Sequence, residues 1–310
     1  MVAGPADNPG SDFAFAMLSP PPFISQAPRD LAGWSALFEH ADLPVLGETV
    51  DALAELAENE DAVDARLIAD AVVSDPLMTI KLLAHVAELR RGREGSDTET
   101  ATEALVMLGV PPFFRAFAGL TETADWLAGQ PEAQVGFRRV LRRSRRAARY
   151  AMAFAVHRMD HDAAVIHEAA LLHDFAELLL WLRAPALALA IQQRQQADPA
   201  LRSAVVQREM LNIELTELEH ALMLKWRLPR LLVQITDEHA RQVTPQMRNV
   251  QLAIRVARHS SQGWDNPALP DDAHDVAVLL NLSHEAAWRL LHDIDGVDEG
   301  PPLPPRPKPL

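Results

Sequence analysis

The stretch ALLHDFAELLLWL, Ala170–Leu182, sets His173 directly before Asp174 in the middle of an otherwise apolar helical segment. Burying a carboxylate without a partner costs several kcal/mol or forces it to take up a proton. The pair therefore holds something, or it is the remnant of a site that did. The chemistry that calls for it is a metal-dependent phosphohydrolase, where imidazole nitrogen and carboxylate oxygen reach one ion and other helices bring the remaining ligands. The wider apolar run, 169–191, carries His173, Asp174, Glu177 and Arg183. That is too many ionisable groups for a membrane span, and it suits a buried helix pair.

Outward from this stretch, apolar residues recur at spacings of three and four: Val50, Leu53, Leu56 and Ala57, then Leu67, Ile68, Ala71 and Val72, then Leu77, Ile80, Leu82 and Leu83. Asp75-Pro76 reads as a helix start. A further helix, 101–108, is expected to be stopped by Gly109 and the Pro111-Pro112 pair. The same pattern predicts longer helices at roughly 134–158, 162–181, 185–195, 199–225, 228–240, 246–261 and 283–294. No segment alternates with period two, so the expected class is all-α. Residues 1–30, rich in Pro, Gly, Ser and Asp, read as a disordered leader, and 31–298 as one helical domain. The tail, 299–310, has the proline-rich composition of an extended polyproline segment and matches a P-x-x-P-x-R ligand pattern through Pro301, Pro304 and Arg306.

Charge and composition narrow the function. With 43 acidic against 29 basic residues the net charge is −14, which disfavours non-specific binding to nucleic acid or anionic lipid. The absence of cysteine excludes disulfides, thiolate zinc sites and a cysteine nucleophile, and fits a cytoplasmic protein. The N-terminus has no basic residue ahead of an apolar run, so no signal peptide is expected. No Gly-rich phosphate loop, G-x-S-x-G or H-E-x-x-H occurs, and no cofactor is expected.

Three other clusters compete for attention. His292-Asp293 repeats the dipeptide, but only an acidic turn and the proline tail follow it, so it reads as an exposed helix end. His157 and His161 stand at i and i+4, yet the apolar pattern breaks between them and Asp162 looks like the N-cap of the next helix. The run FRRVLRRSRRAARY holds seven arginines, of which Arg138, Arg142, Arg145 and Arg149 share one helix face. That stripe is either an anion patch or a solvated face paired with the excess acids; it lacks the aromatic interleaving of a nucleic-acid platform.

In order along the chain, DLPVLGETVDALAEL, IADAVVSDPLMTIKLLAHVAEL, ATEALVMLGVPPFF, ALLHDFAELLL and EHALMLKWRLPRLLVQITDEHA resemble the HDOD family over about residues 38–260, leaving 261–298 as a C-terminal helical extension. The most specific pieces are Leu43-Pro44, Asp75-Pro76 with Thr79 and Leu83, Glu103-Ala104 with Leu108-Gly109, and Trp226 with Leu228-Pro229. The resemblance implies an N-terminal helical subdomain packed on a degenerate HD-like subdomain, in a bacterial signalling module related to the HD and HD-GYP phosphohydrolases but without their metal ligands. Carried over residue by residue, the first ligand position falls on Arg143, or on Arg142 if the register slips by one. Later positions fall on Leu215, on Glu238 and His239, and on or near Ile254. The Asn expected in LLAHVAEL is Ala87. His173 and Asp174 remain as a vestigial dyad, and two ligands cannot hold a divalent cation against water.

These readings converge on a non-enzymatic regulatory module acting through protein–protein contact, with other signalling proteins supplied in trans and no membrane partner. The rival is a residual phosphohydrolase acting on a nucleotide or cyclic dinucleotide, with His173, Asp174 and His239 as ligands. An anion or nucleic-acid sensor built on the arginine stripe is the third option. Without a metal, Asp174 needs a cation or several hydrogen-bond donors. Arg143 falls where the first metal ligand would project toward the dyad, and its guanidinium fork suits a carboxylate.

Overall fold

Proline lacks the N–H that the first turn of a helix leaves unsatisfied anyway, and this chain uses it repeatedly as a start signal, at Pro76, Pro131, Pro185 and Pro245. A computed structural model describes residues 22–91, 98–198, 201–237 and 242–296. The helices run in the order α1 (Leu31–Phe38), α2 (Gly47–Ala57), α3 (Ala65–Val72), α4 (Pro76–Leu89), α5 (Ala101–Leu108), α6 (Val110–Ala116), α7 (Thr123–Trp126), α8 (Pro131–Arg158), α9 (Ala163–Leu172), α10 (Phe175–Arg183), α11 (Pro185–Ala197), α12 (Ser203–Leu211), α13 (Leu215–Lys225), α14 (Arg230–Thr236), α15 (Pro245–His259), α16 (Leu269–Leu280) and α17 (His284–Asp295). The fold is all-α. None of the described helices is long and apolar enough to cross a membrane.

The 28-residue α8 is the axis, about 42 Å long at 1.5 Å per residue. Its small and apolar positions, Ala147, Ala148, Ala151 and Ala155 among them, let α9 and α15 lie close along it, with α10, α11 and α17 also packed against it. The N-terminal helices join this half through one continuous apolar core that runs from Trp34 to Leu291. Buried Asp75 organises the N-terminal half: its carboxylate accepts N–H bonds from Leu77 (2.9 Å) and Met78 (3.1 Å) at the start of α4 and from Leu46 (2.8 Å) at the start of α2. This is the local reason for the Asp75-Pro76 start.

Several sequence expectations need correction. The leader boundary at residue 30 is too late. The Ile24 N–H donates to the Arg183 carbonyl (2.8 Å), Arg183 donates to the Pro22 carbonyl (2.9 Å) and Asn212 to that of Pro28 (2.9 Å), so 22–30 dock on the helical body. The helix expected over 199–225 is broken where Asn212 takes a left-handed conformation, φ 62°. Pro111 and Pro112 stop nothing: after Gly109, at φ 81°, they form the first turn of α6. Helix α16 was not predicted, although Pro270 with Asp271 and Asp272 is an ordinary helix start. The proline-rich segment 299–310 and residues 238–241 lie outside the described residues.

Candidate functional site

The helix expected to run unbroken over 162–181 is two helices, and the break falls on the dyad. α9 ends at Leu172 and α10 begins at Phe175, with Asp174 between them at φ −104°, ψ 15°. Arg143, projecting from the middle of α8, meets this joint. Its Nε donates to Asp174 Oδ2 at 2.7 Å and its Nη2 to Glu177 Oε2 at 2.7 Å, while Asp174 Oδ1 lies 3.3 Å from His173 Nδ1. The side chains of His173, Asp174 and Arg143 are only 6%, 10% and 16% exposed, so the pairing occurs in a largely dry setting. Arg142, the neighbouring residue, is exposed, and it is Arg143 that reaches Asp174.

Burial alone would push the Asp174 carboxyl up, but the Arg143 guanidinium and the His173 ring outweigh it and hold Asp174 well below the usual carboxylate range. Burial would likewise lower Arg143, yet Asp174 and Glu177 raise it above its ordinary value. Both partners are therefore charged at any working pH. Glu177, one helical turn beyond Asp174, is the member of this cluster that sequence reasoning did not assign. Its spacing of three on an amphipathic helix was the available signal.

Around the cluster lies a cleft of about 420 Å³, bordered by Arg139, Gln192, Trp181, Leu215 and Glu219. Arg139 donates to Gln192 at 2.5 Å. At the floor, α8 has no side chain: a Cβ on Gly136 would stand 2.4 Å from the Trp181 ring. Gly136→Ala is expected to cost about 1–3 kcal/mol through displacement of that indole, measured by urea unfolding. A loss below about 0.5 kcal/mol would mean that Trp181 has room to yield.

A metal of the HD type does not fit these residues. One oxygen of Asp174 is committed to a guanidinium, and Leu215 and Ile254, at or near which the family resemblance places two further ligands, are buried apolar side chains. Among the described residues no three His, Asp or Glu side chains converge on one point. His239, the remaining candidate ligand, and its neighbour Glu238 lie outside the described residues.

The other sequence candidates do not join the cleft's dyad. His157 and His161 are exposed, His157 near the Leu280 carbonyl at 3.2 Å. Asp162 stands at the N-cap position but makes no side-chain cap, its carboxylate accepting instead from Gln246 at 3.2 Å. His292 stacks on Trp264 with ring centroids 3.9 Å apart, and Asp293 is exposed. The arginine stripe is narrower than its spacing implied: Arg145 is held by Glu48 and by the Ser74 carbonyl (2.8 Å), and Arg149 is engaged as well.

The chain is a helical protein built around a buried His-Asp joint that an arginine of the central helix pairs with. The HDOD domain family matches residues 43–242, and the chain belongs to that family. Its fold is similar to that of the MmoQ response regulator from Methylococcus capsulatus str. Bath, with a TM-score of 0.62 at 21% identity over 81% of this chain and 99% of that one. It is also similar to a virulence factor from Campylobacter jejuni subsp. jejuni, with a TM-score of 0.58 at 16% identity over 86% of this chain and 94% of that one. No curated protein matches the chain.

Proposed function

We propose that this HDOD protein is a non-enzymatic, cytoplasmic regulatory module that acts by contact with other signalling proteins. The observation that carries the reading is the Arg143 fork, 2.7 Å from both Asp174 and Glu177, at the position that the family resemblance assigns to the first metal ligand of the related hydrolases. A guanidinium supplies positive charge to the carboxylates but no vacant coordination position and no Lewis acidity, so the cluster holds α8 against the α9–α10 joint and activates no water. The fold's similarity to a protein called a response regulator is in keeping with a role in signalling.

The test is to purify the intact chain without chelator and measure Fe, Mn, Zn and Mg by elemental analysis, alongside hydrolysis of bis(p-nitrophenyl) phosphate with each metal added. The expected result is well under stoichiometric metal and no turnover above buffer. About one tightly held ion per chain, with turnover abolished by Asp174→Asn, would overturn the proposal in favour of a residual phosphohydrolase.

A further inference from the structure

Three ties build a groove where the N-terminal helices meet α8. Val45, just before α2, exchanges two backbone hydrogen bonds of 2.8 Å with Thr121 and Thr123 at the start of α7. From α8, Gln134 donates to the Leu127 carbonyl at 3.0 Å, and Arg145 donates to Glu48 and to the Ser74 carbonyl. Between these ties lies a groove of about 340 Å³ whose floor is Leu46, Leu127, Phe137 and Leu141, each at most 7% exposed. Its walls are held to one another, so an entering group finds the groove already formed.

Two arginines stand at its edge without a partner. Of the seven on α8, Arg139, Arg143 and Arg145 have the partners described above, Arg146 pairs with Asp295 at 2.7 Å and Arg149 is engaged. Arg138 and Arg142 line the groove, are exposed, and make no ion pair or hydrogen bond among the described residues. They lie about 6 Å apart along the helix axis, a spacing at which like charges repel. Glu48, the carboxylate of the lining, is already taken by Arg145. A chain with 43 acidic against 29 basic residues thus leaves its own excess carboxylates off this pair among the described residues.

We propose that the groove docks an acidic segment of a partner protein, which lays one Leu- or Phe-sized side chain on the apolar floor and sets two carboxylates, about 6 Å apart, on Arg138 and Arg142. This rests on the reading of the chain as a module that works by protein contact, and it names the chemistry of the partner. An arginine pair beside a small apolar pocket is a means of recognising an acidic motif. Nucleic acid would call for a longer basic track and stacking rings, which this lining lacks. A second copy brings a net charge of −14 toward another −14, and that repulsion opposes its approach. Because the floor draws on α8, the start of α2 and the residue after α7, an occupant bridges the N-terminal helices and the half that carries the dyad.

Fluorescence anisotropy with short fluorescein-labelled peptides tests this on the intact chain. Each peptide carries one Leu or Phe and a pair of Glu spaced two, three or four residues apart; matched peptides carry Gln or Lys for Glu, or Ser for the apolar residue. The best Glu peptides should bind about tenfold more tightly than their Gln and Ser matches, and several-fold more weakly in about 1 M salt. Arg138→Gln with Arg142→Gln should abolish the preference for Glu. Arg138→Glu with Arg142→Glu should reverse it in favour of the Lys peptides, a change that misfolding cannot produce. Glu peptides that bind no better than their Gln matches, or a preference that survives the charge reversal, would overturn the proposal. So would a dimer of the unsubstituted chain, seen in sedimentation, that the charge reversal dissolves, which would assign the groove to a second copy. Metal content and turnover decide the non-enzymatic reading separately, so failure here leaves that reading standing, and its failure leaves this binding unchanged.

Discussion

Arg143→Ala is expected to destabilise the fold by roughly 3–5 kcal/mol, because it strands a buried carboxylate rather than merely deleting a contact. Among the described residues Asp174 would keep the His173 ring, 3.3 Å away. Asp174→Ala should cost less, roughly 2–3 kcal/mol, since the stranded guanidinium retains Glu177 at 2.7 Å, a partner one-third exposed and partly screened. The double replacement should cost at least about 1 kcal/mol less than the sum of the two, the mark of groups that act as one unit. Losses measured by urea unfolding that add within about 0.5 kcal/mol would remove the case for a structural ion pair. The pH dependence has a definite sign. The folded-state pKa of Asp174 is depressed, so its contribution is fully present above the unfolded carboxylate range and is lost as pH falls below about 4. Acid unfolding of Asp174→Ala should therefore be shallower than that of the unsubstituted chain.

What the sequence made legible follows a physical divide. Periodicity placed most helices because burial of a helix face is a local pattern, and Asp75-Pro76 was readable because the carboxylate caps the helix that begins on the proline. Partners across long separations were not readable. Arg146 meets Asp295, 149 residues away, and nothing in either neighbourhood announces the other. Arg143 and Asp174 were an exception only because the family resemblance supplied a reason for two distant positions to face one another. The break at His173-Asp174 was missed for a related cause. The flanking residues are all good helix formers, and it is the tertiary demand that these side chains meet Arg143 that accompanies the kink. The same limit applies to the arginine stripe, where spacing put four residues on one face but could not tell that Glu48 and Ser74 already hold Arg145.

The second large effect comes from a buried acid that no motif marks. Glu168, on α9, is 4% exposed; its Oε1 accepts the Ala101 N–H at 2.8 Å and its Oε2 is buried with no hydrogen-bond partner among the described residues. Burial pushes its carboxyl up to about 8, against the opposing Ala101 hydrogen bond and with a smaller push from Glu103. Unlike Asp174, it has no cation beside it among the described residues. The unfolded chain therefore releases this proton first, near pH 4.5, while the folded chain keeps it to about pH 8. Stability falls across that window, by up to roughly 5 kcal/mol, and the loss is complete once the folded carboxyl also ionises. Glu168→Gln retains an acceptor for Ala101 and has no proton to lose. It should leave stability near pH 5 within about 1 kcal/mol and raise the melting temperature at pH 8.5 by on the order of 5–10 °C. The joint concerned links the start of α5 to α9, so ionisation there loosens the N-terminal helices from the half that carries the dyad. Melting curves of the two proteins that run parallel from pH 5 to 8.5 would show that Glu168 is charged throughout and has found a donor in the folded state.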